Sequence, residues 1–154
     1  MRIPFLFLLL FLAACRPAVA PDEIKVIGIA DGDTFTAMKG REKIRVRLEG
    51  IDCPERGQAF GKRAGEALGD MVFGKVVRLE ERGKDRYGRV LAVAWLEDGR
   101  CVNEEMLRLG MAWHFKRYNK DRRWAEMETE ARLARQGLWA DKNPVAPWEW
   151  RGGK

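Results

Sequence analysis

Residues 47–55 read RLEGIDCPE, which puts an arginine, an aspartate and a glutamate within nine residues and breaks into a Cys-Pro turn. Two other short pieces read as its partners, ADGDT at 30–34 and DRYGR at 85–89. Together they offer carboxylates for a hard cation, one further carboxylate for proton transfer, and two arginines for an anion such as phosphate. Asp33 and Asp52 each stand at or beside a strand end. Two carboxylates converging there, with a backbone carbonyl, make an oxygen site for Ca²⁺ or Mg²⁺. Glu55 follows Pro54, so its backbone leaves the strand, and its carboxylate can take a proton from a water. Arg47 and Arg89 supply forked donors of the kind that hold a phosphate before and during attack. Arg86 and Tyr87 are placed beside Arg89 for a second phosphate. Taken singly, each residue has a plainer reading: a turn or capping aspartate, a surface glutamate, a solvated strand arginine.

The rest of the alphabet narrows the chemistry. The 154 residues include no serine and a single histidine, His114, which excludes a serine nucleophile and any mechanism needing two histidines from one chain. Three cysteines and that histidine lack the paired spacing of a structural zinc site. A hydrophobic share of 46% and a charged share of 34% describe one globular domain behind a processed N-terminus. The formal net charge of +6 suits an acidic partner, whether nucleic acid, phosphate or anionic membrane, and equally suits simple solubility.

The elements that must position these residues follow from pattern. Residues 23–29, 35–38 and 43–48 read as strands, the last with Ile44, Val46 and Leu48 on one face and Lys43, Arg45 and Arg47 on the other. This places Arg47 opposite the core, so its replacement should cost little stability. Residues 61–73 read as a helix with Ala64, Ala67, Leu68, Met71 and Val72 inward, and 75–80 with 90–96 as a hairpin around a long charged connection. Asn103 reads as the cap of a helix over 104–109, and a last helix starts at 121 or 122 with Trp124, Met127, Ala131 and Leu138 toward the core. The predicted class is α+β, a small closed barrel with helices on its side. The globular domain spans 23–143, and a Trp- and Pro-rich tail over 144–154 packs on it. The stretch HFKRYNKDRR at 114–123 interleaves basic and aromatic residues, as a nucleic-acid track or as a solvated loop.

The N-terminus carries an address. One positive charge precedes an apolar run over 5–14 that is too short to span a bilayer and reads as a secretory signal. LAAC at 12–15 resembles the bacterial lipobox, which predicts cleavage of 1–14, lipidation of Cys15 and a tether over 15–22. The protein is then an exported, membrane-anchored lipoprotein of the cell envelope. The A-x-A pattern at 18–20 keeps a soluble periplasmic or secreted protein as the alternative. With Cys15 lipidated, Cys53 and Cys101 remain as a candidate disulfide in an oxidising compartment.

ADGDT, RLEGIDCPE, DRYGR, VNEEMLRLGMAW and GLW, in this order and spacing from residue 24 to 139, resemble the staphylococcal nuclease (thermonuclease) family. The resemblance implies a five-stranded OB-fold-type barrel with three helices. It implies a nuclease, an endonuclease that hydrolyses DNA and RNA phosphodiesters with Ca²⁺, Mg²⁺ being less suitable, and leaves 3′-phosphate ends. By position, Asp33 and Asp52 match the side-chain metal ligands, with Asp31 nearby. Cys53 stands where the family offers a main-chain carbonyl, and Glu55 where it has a general base. Arg47 and Arg89 match the two phosphate arginines, Arg86 and Tyr87 the contacts to another phosphate, and Tyr118, with Phe115, lies near the residues that pack a nucleotide. The segment after Glu55 is shorter than in the staphylococcal protein. No protein partner is implied, and a monomer suffices. The competing function is a non-catalytic nucleic-acid-binding module on the same fold.

Overall fold

The computed structural model describes residues 23–153. The leader, Cys15 and the whole tether therefore lie outside the described residues. In chain order the elements are β1 (Ile24–Ile29), β2 (Thr34–Lys39), β3 (Glu42–Leu48), β4 (Ile51–Asp52), α1 (Gly61–Val72), β5 (Val76–Lys84), β6 (Val90–Leu96), α2 (Val102–Arg108), β7 (Trp113–His114), α3 (Arg122–Leu133), a 3₁₀ turn (Gly137–Ala140) and α4 (Pro147–Gly152).

Period-two alternation builds the barrel. Ile44, Val46 and Leu48 of β3 are buried while Glu42, Lys43 and Arg45 are exposed, because successive strand residues point to opposite faces. Five strands close in the order β1-β2-β3-β6-β5, with β3 and β6 parallel and Arg47 paired with Leu91. Val26, Phe35, Val46, Leu48 and Ala92 fill the interior, and each fully buried Val or Leu contributes about 1.5–3 kcal/mol relative to exposure. α1 turns Ala64, Leu68, Met71 and Val72 inward, as its spacing predicts. α3 does the same with Trp124, Met127 and Ala131.

Four local expectations are corrected. The charged connection after residue 80 is largely strand: β5 runs to Lys84 and stays paired with β6 through an irregularity between Glu81 and Gly83. α2 begins at Val102 with Cys101 at its cap, and Asn103 is buried within it. Its side-chain oxygen accepts from Ala94 N (3.0 Å) and its amide donates to Glu49 O (2.8 Å), so it satisfies strand-end backbone rather than its own helix. Cys53 and Cys101 are both free and buried, so the candidate disulfide is not formed. They belong to different neighbourhoods: the Cys53 side chain lies against Gly32 and Ala64, and Cys101 bridges by its backbone to Trp95 at the end of β6. The C-terminal tail holds a fourth helix, α4, which the sequence pattern does not announce.

Candidate active site

Two short features fix the backbone beneath the carboxylates. β4 pairs with β7, Asp52 opposite Trp113, which places Asp52 at a strand of only two residues. The turn before β2 passes so close to α1 and Cys53 that a Cβ on Gly32 would lie 2.6 Å from Ala64 Cβ and 2.8 Å from Cys53 Cβ. Only glycine fits there, and the contact sets Asp31 and Asp33 against the Cys53 segment. Asp33 accepts from Cys53 N through Oδ2 (2.8 Å) and from Thr34 Oγ1 through Oδ1 (3.1 Å).

Arg47 lies between the two aspartates. Its Nε is 3.1 Å from Asp33 Oδ1 and its Nη2 is 3.0 Å from Asp52 Oδ1. Nη1 donates to the carbonyls of Ile51 (2.9 Å) and Leu48. The side chain is 13% exposed, so the plain reading of a solvated strand charge is wrong. At the Arg47 end of β3 the outward face turns onto Leu48, Ile51 and Asp52, while Lys43 and Arg45 stay exposed. Burial works against the charge on Arg47, but the facing Asp33 and Asp52 carboxylates outweigh it and hold its pKa above the ordinary value. Burial acts on Asp33 too, pushing its carboxyl up to about 7. Arg47 opposes that rise, while Asp31 and Asp52 add to it.

Glu55 stands at the rim, its side chain 38% exposed. The short segment behind it is tightly turned onto α1: a Cβ on Gly61 would fall 1.8 Å from Glu55 O. Gln58, buried, accepts from Glu55 N (3.1 Å) and donates to Val145 O (2.6 Å), tying this segment to the C-terminal tail.

The 85–89 turn supplies the second arginine. Asp85 accepts from the backbone N–H groups of Tyr87 and Arg89 (2.9 Å each) and from Arg89 Nε (2.7 Å). Slight desolvation works against the Asp85 carboxylate, but these bonds, the Arg89 side chain first, hold its pKa below the usual range. Arg89 Nη1 reaches Thr34 Oγ1 at 3.4 Å, so Arg89 joins Asp33 through one hydroxyl. Arg86 and Tyr87 are exposed neighbours, with Arg86 Nη2 2.7 Å from the Tyr87 hydroxyl. Tyr118 is 65% exposed and meets Phe115 edge to ring at 4.9 Å.

Asp33, Arg47 and Asp52 are thus brought into one hydrogen-bonded group with Arg89 at its edge, and Glu55 joins it through a residue that no motif announces, Arg151 of α4. Its Nη2 is 2.6 Å from Asp52 Oδ2 and its Nη1 2.6 Å from Glu55 Oε1. Ninety-six residues separate Arg151 from Glu55, and no spacing signal in the sequence could join them. The Cys53 thiol takes no part: burial first, then the Asp33 charge, push its pKa well above the ordinary value. His114 is structural, buried with its ring 3.0 Å from Asn119 Oδ1. The basic stretch around it is largely neutralised, Lys116 by Glu128, Arg122 by Glu126 and Arg123 by Glu104.

Among the described residues no three or more His, Cys, Asp and Glu side chains form a metal cage. The donor chemistry is that of a hard cation that keeps much of its water: two buried carboxylates that meet on one guanidinium, with main-chain carbonyls beside them. The cationic Arg151 also lies on Asp52, so this buried carboxylate already has two positively charged partners.

Residues 45–141 match the family described as Staphylococcal nuclease homologue. The chain is 42% identical over 145 residues to a Haemophilus influenzae protein named an uncharacterized endonuclease, covering 94% of this chain and 81% of that one. It is 38% identical over 147 residues to an Escherichia coli protein of the same name, covering 96% of each. A Shigella flexneri protein named micrococcal nuclease is 43% identical over 145 residues, covering 88% of this chain and 83% of that one.

Proposed function

The chain belongs to the staphylococcal nuclease homologue family and is a nuclease, and from that premise we propose that it hydrolyses DNA and RNA phosphodiesters in a Ca²⁺-dependent reaction at the Asp33–Arg47–Asp52–Glu55 centre. The observation that carries this reading is that Asp33, Arg47 and Asp52 form one group, linked to Arg89 through Thr34, with Glu55 beside it on the Arg151 guanidinium that Asp52 shares. Asp33, Asp52 and the main-chain carbonyl of Cys53 are the groups that would hold Ca²⁺. Bound there, the cation supplies positive charge for the phosphate oxygens. Glu55 accepts the proton of the attacking water, and its position at the exposed rim gives that water access. Arg89, held by Asp85, points fixed N–H donors at the phosphate, and Arg47 keeps the two aspartates together while donating to the same anion. Arg86 and Tyr87 meet a neighbouring phosphate, and Tyr118 with Phe115 offers a ring surface to a base.

The test is cleavage of single-stranded DNA, double-stranded DNA and RNA with Ca²⁺, with Mg²⁺ and with chelator, the wild type beside Glu55→Gln. The expected result is Ca²⁺-dependent cleavage that leaves 3′-phosphate ends and falls by orders of magnitude in the variant, with nucleic-acid binding retained. Binding without cleavage under every metal would replace the enzyme by a binding module. The leader supports a place at the cell envelope, anchored through a lipid on Cys15. Palmitate labelling lost in Cys15→Ala checks this, and unlabelled protein free in the medium would contradict it.

A further inference from the structure

Arg151 meets the two carboxylates that the proposed reaction needs free. Its Nη2 is 2.6 Å from Asp52 Oδ2 and its Nη1 3.3 Å from Asp52 Oδ1, while Arg47 Nη2 takes Oδ1 at 3.0 Å. Both oxygens of Asp52 are therefore committed to guanidinium donors. The same Nη1 holds Glu55 Oε1 at 2.6 Å, which engages the proton acceptor with a cation.

The contact is built rather than incidental to a chain end. Gln58 fixes Val145 O, Ala146 and Pro147 are buried, and Pro147 opens α4 at the position where its missing N–H costs nothing. Trp148 stacks on Phe115 with centroids 5.2 Å apart and planes 5° from parallel. It also meets the edge of Trp113 at 5.5 Å, and Trp113 is the strand partner of Asp52. The helix is thus seated on the same β4–β7 pair that places Asp52, and Arg151 comes from its last turn. Phe115, one of the rings offered to a base, is stacked by the same helix.

The two arginines on Asp52 differ in how easily they leave. Arg47 is 13% exposed and tied to two carbonyls as well as two carboxylates. Arg151 is 45% exposed on a six-residue helix, and its side chain can swing into water without uncovering the core. The Arg151 end of the pair stands in water, so a divalent cation at Asp52 competes with an exposed, mobile guanidinium rather than with a buried one.

We propose that Arg151 is a tethered counter-cation that occupies the divalent-cation position from α4, so that cation binding and release of Arg151 are one coupled step. This rests on the reading of Asp52 as a cation ligand. The coupling is reciprocal: whatever strengthens the Arg151 contact weakens the cation by the same factor, and bound cation loosens α4. If the strap is closed nine-tenths of the time, the apparent cation affinity is about tenfold below its intrinsic value.

The test is calorimetric titration of the full-length protein with Ca²⁺ at fixed pH and ionic strength, in wild type, Arg151→Ala, Trp148→Ala and Asp52→Ala. The expected result is binding about tenfold tighter in Arg151→Ala and also tighter in Trp148→Ala, which keeps the charge but unseats the helix. Hydrogen exchange at residues 147–152 should speed up with Ca²⁺ in the wild type and not in Asp52→Ala. Equal or weaker binding in Arg151→Ala, with binding still lost in Asp52→Ala, would overturn the strap and leave the cation site standing. Absence of Ca²⁺ binding in wild type and Arg151→Ala alike would overturn both.

Discussion

The proposed reaction assigns Arg47 and Arg89 the same task on a phosphate, and the molecule holds them in opposite ways. Arg47 sits in a buried floor, between Asp33 and Asp52, with two backbone carbonyls on its Nη1. Arg89 sits in the turn between β5 and β6, 24% exposed, with Asp85 as its ion-pair partner. In the floor, every charge is held by another buried charge, so chemistry and stability cannot be separated. In the turn, hydrogen bonds made within five residues fix the arginine, and the barrel does not depend on it.

Variants of the two arginines should therefore part company. Arg47→Ala should lower activity by orders of magnitude and also destabilise the protein by about 3 kcal/mol or more, because it leaves Asp33 buried without its cation and Asp52 with Arg151 alone. The sequence pattern alone suggests little unfolding, so a thermal melt decides between the pattern and the burial. Arg89→Ala should lower activity comparably, while the melt changes by less than about 1 kcal/mol, because Asp85 keeps the backbone N–H donors that shape the turn. Equal destabilisation by both substitutions would erase the distinction between floor and turn.

A smaller effect concerns pH. The folded pKa of Asp33 is raised to about 7, above its value in the unfolded chain, so the folded state binds the proton more tightly. Its contribution to metal-free stability is full below the unfolded pKa and is lost as pH rises through about 7. Asp85 has the opposite sign: its lowered pKa adds stability above the unfolded pKa, lost as pH falls through the folded value. Melts in chelator from pH 4 to 8 should show a decline in the wild type that Asp33→Asn flattens. An unchanged slope in the variant would mean that Asp33 is ionised throughout and that the floor is less buried than its geometry indicates.

The same contrast explains what could be read from sequence. The β3 alternation was legible because Ile44, Val46 and Leu48 repeat the period of a strand. The 85–89 turn was legible because Asp85, Gly88 and Arg89 act on one another locally. The motif order supplies the candidate site residues through family resemblance alone. What stayed hidden was made by distant partners. β4 and β7 are two residues each and exist only by pairing across the fold. Asn103 looked like a cap because the strand ends it serves, at Glu49 and Ala94, are invisible from its own helix. Arg151 carries no signal in the sequence because its contact with Asp52 depends on where Trp148 seats α4.

The most direct test of the floor as the cation and phosphate centre is to measure Ca²⁺ binding and DNA cleavage on the same preparations of wild type and Asp52→Ala, with circular dichroism to confirm that both are folded. A Ca²⁺-binding wild type that cleaves, beside a folded Asp52→Ala that does neither, is the predicted result. Cleavage that persists in chelator, or in Asp52→Ala, would contradict it.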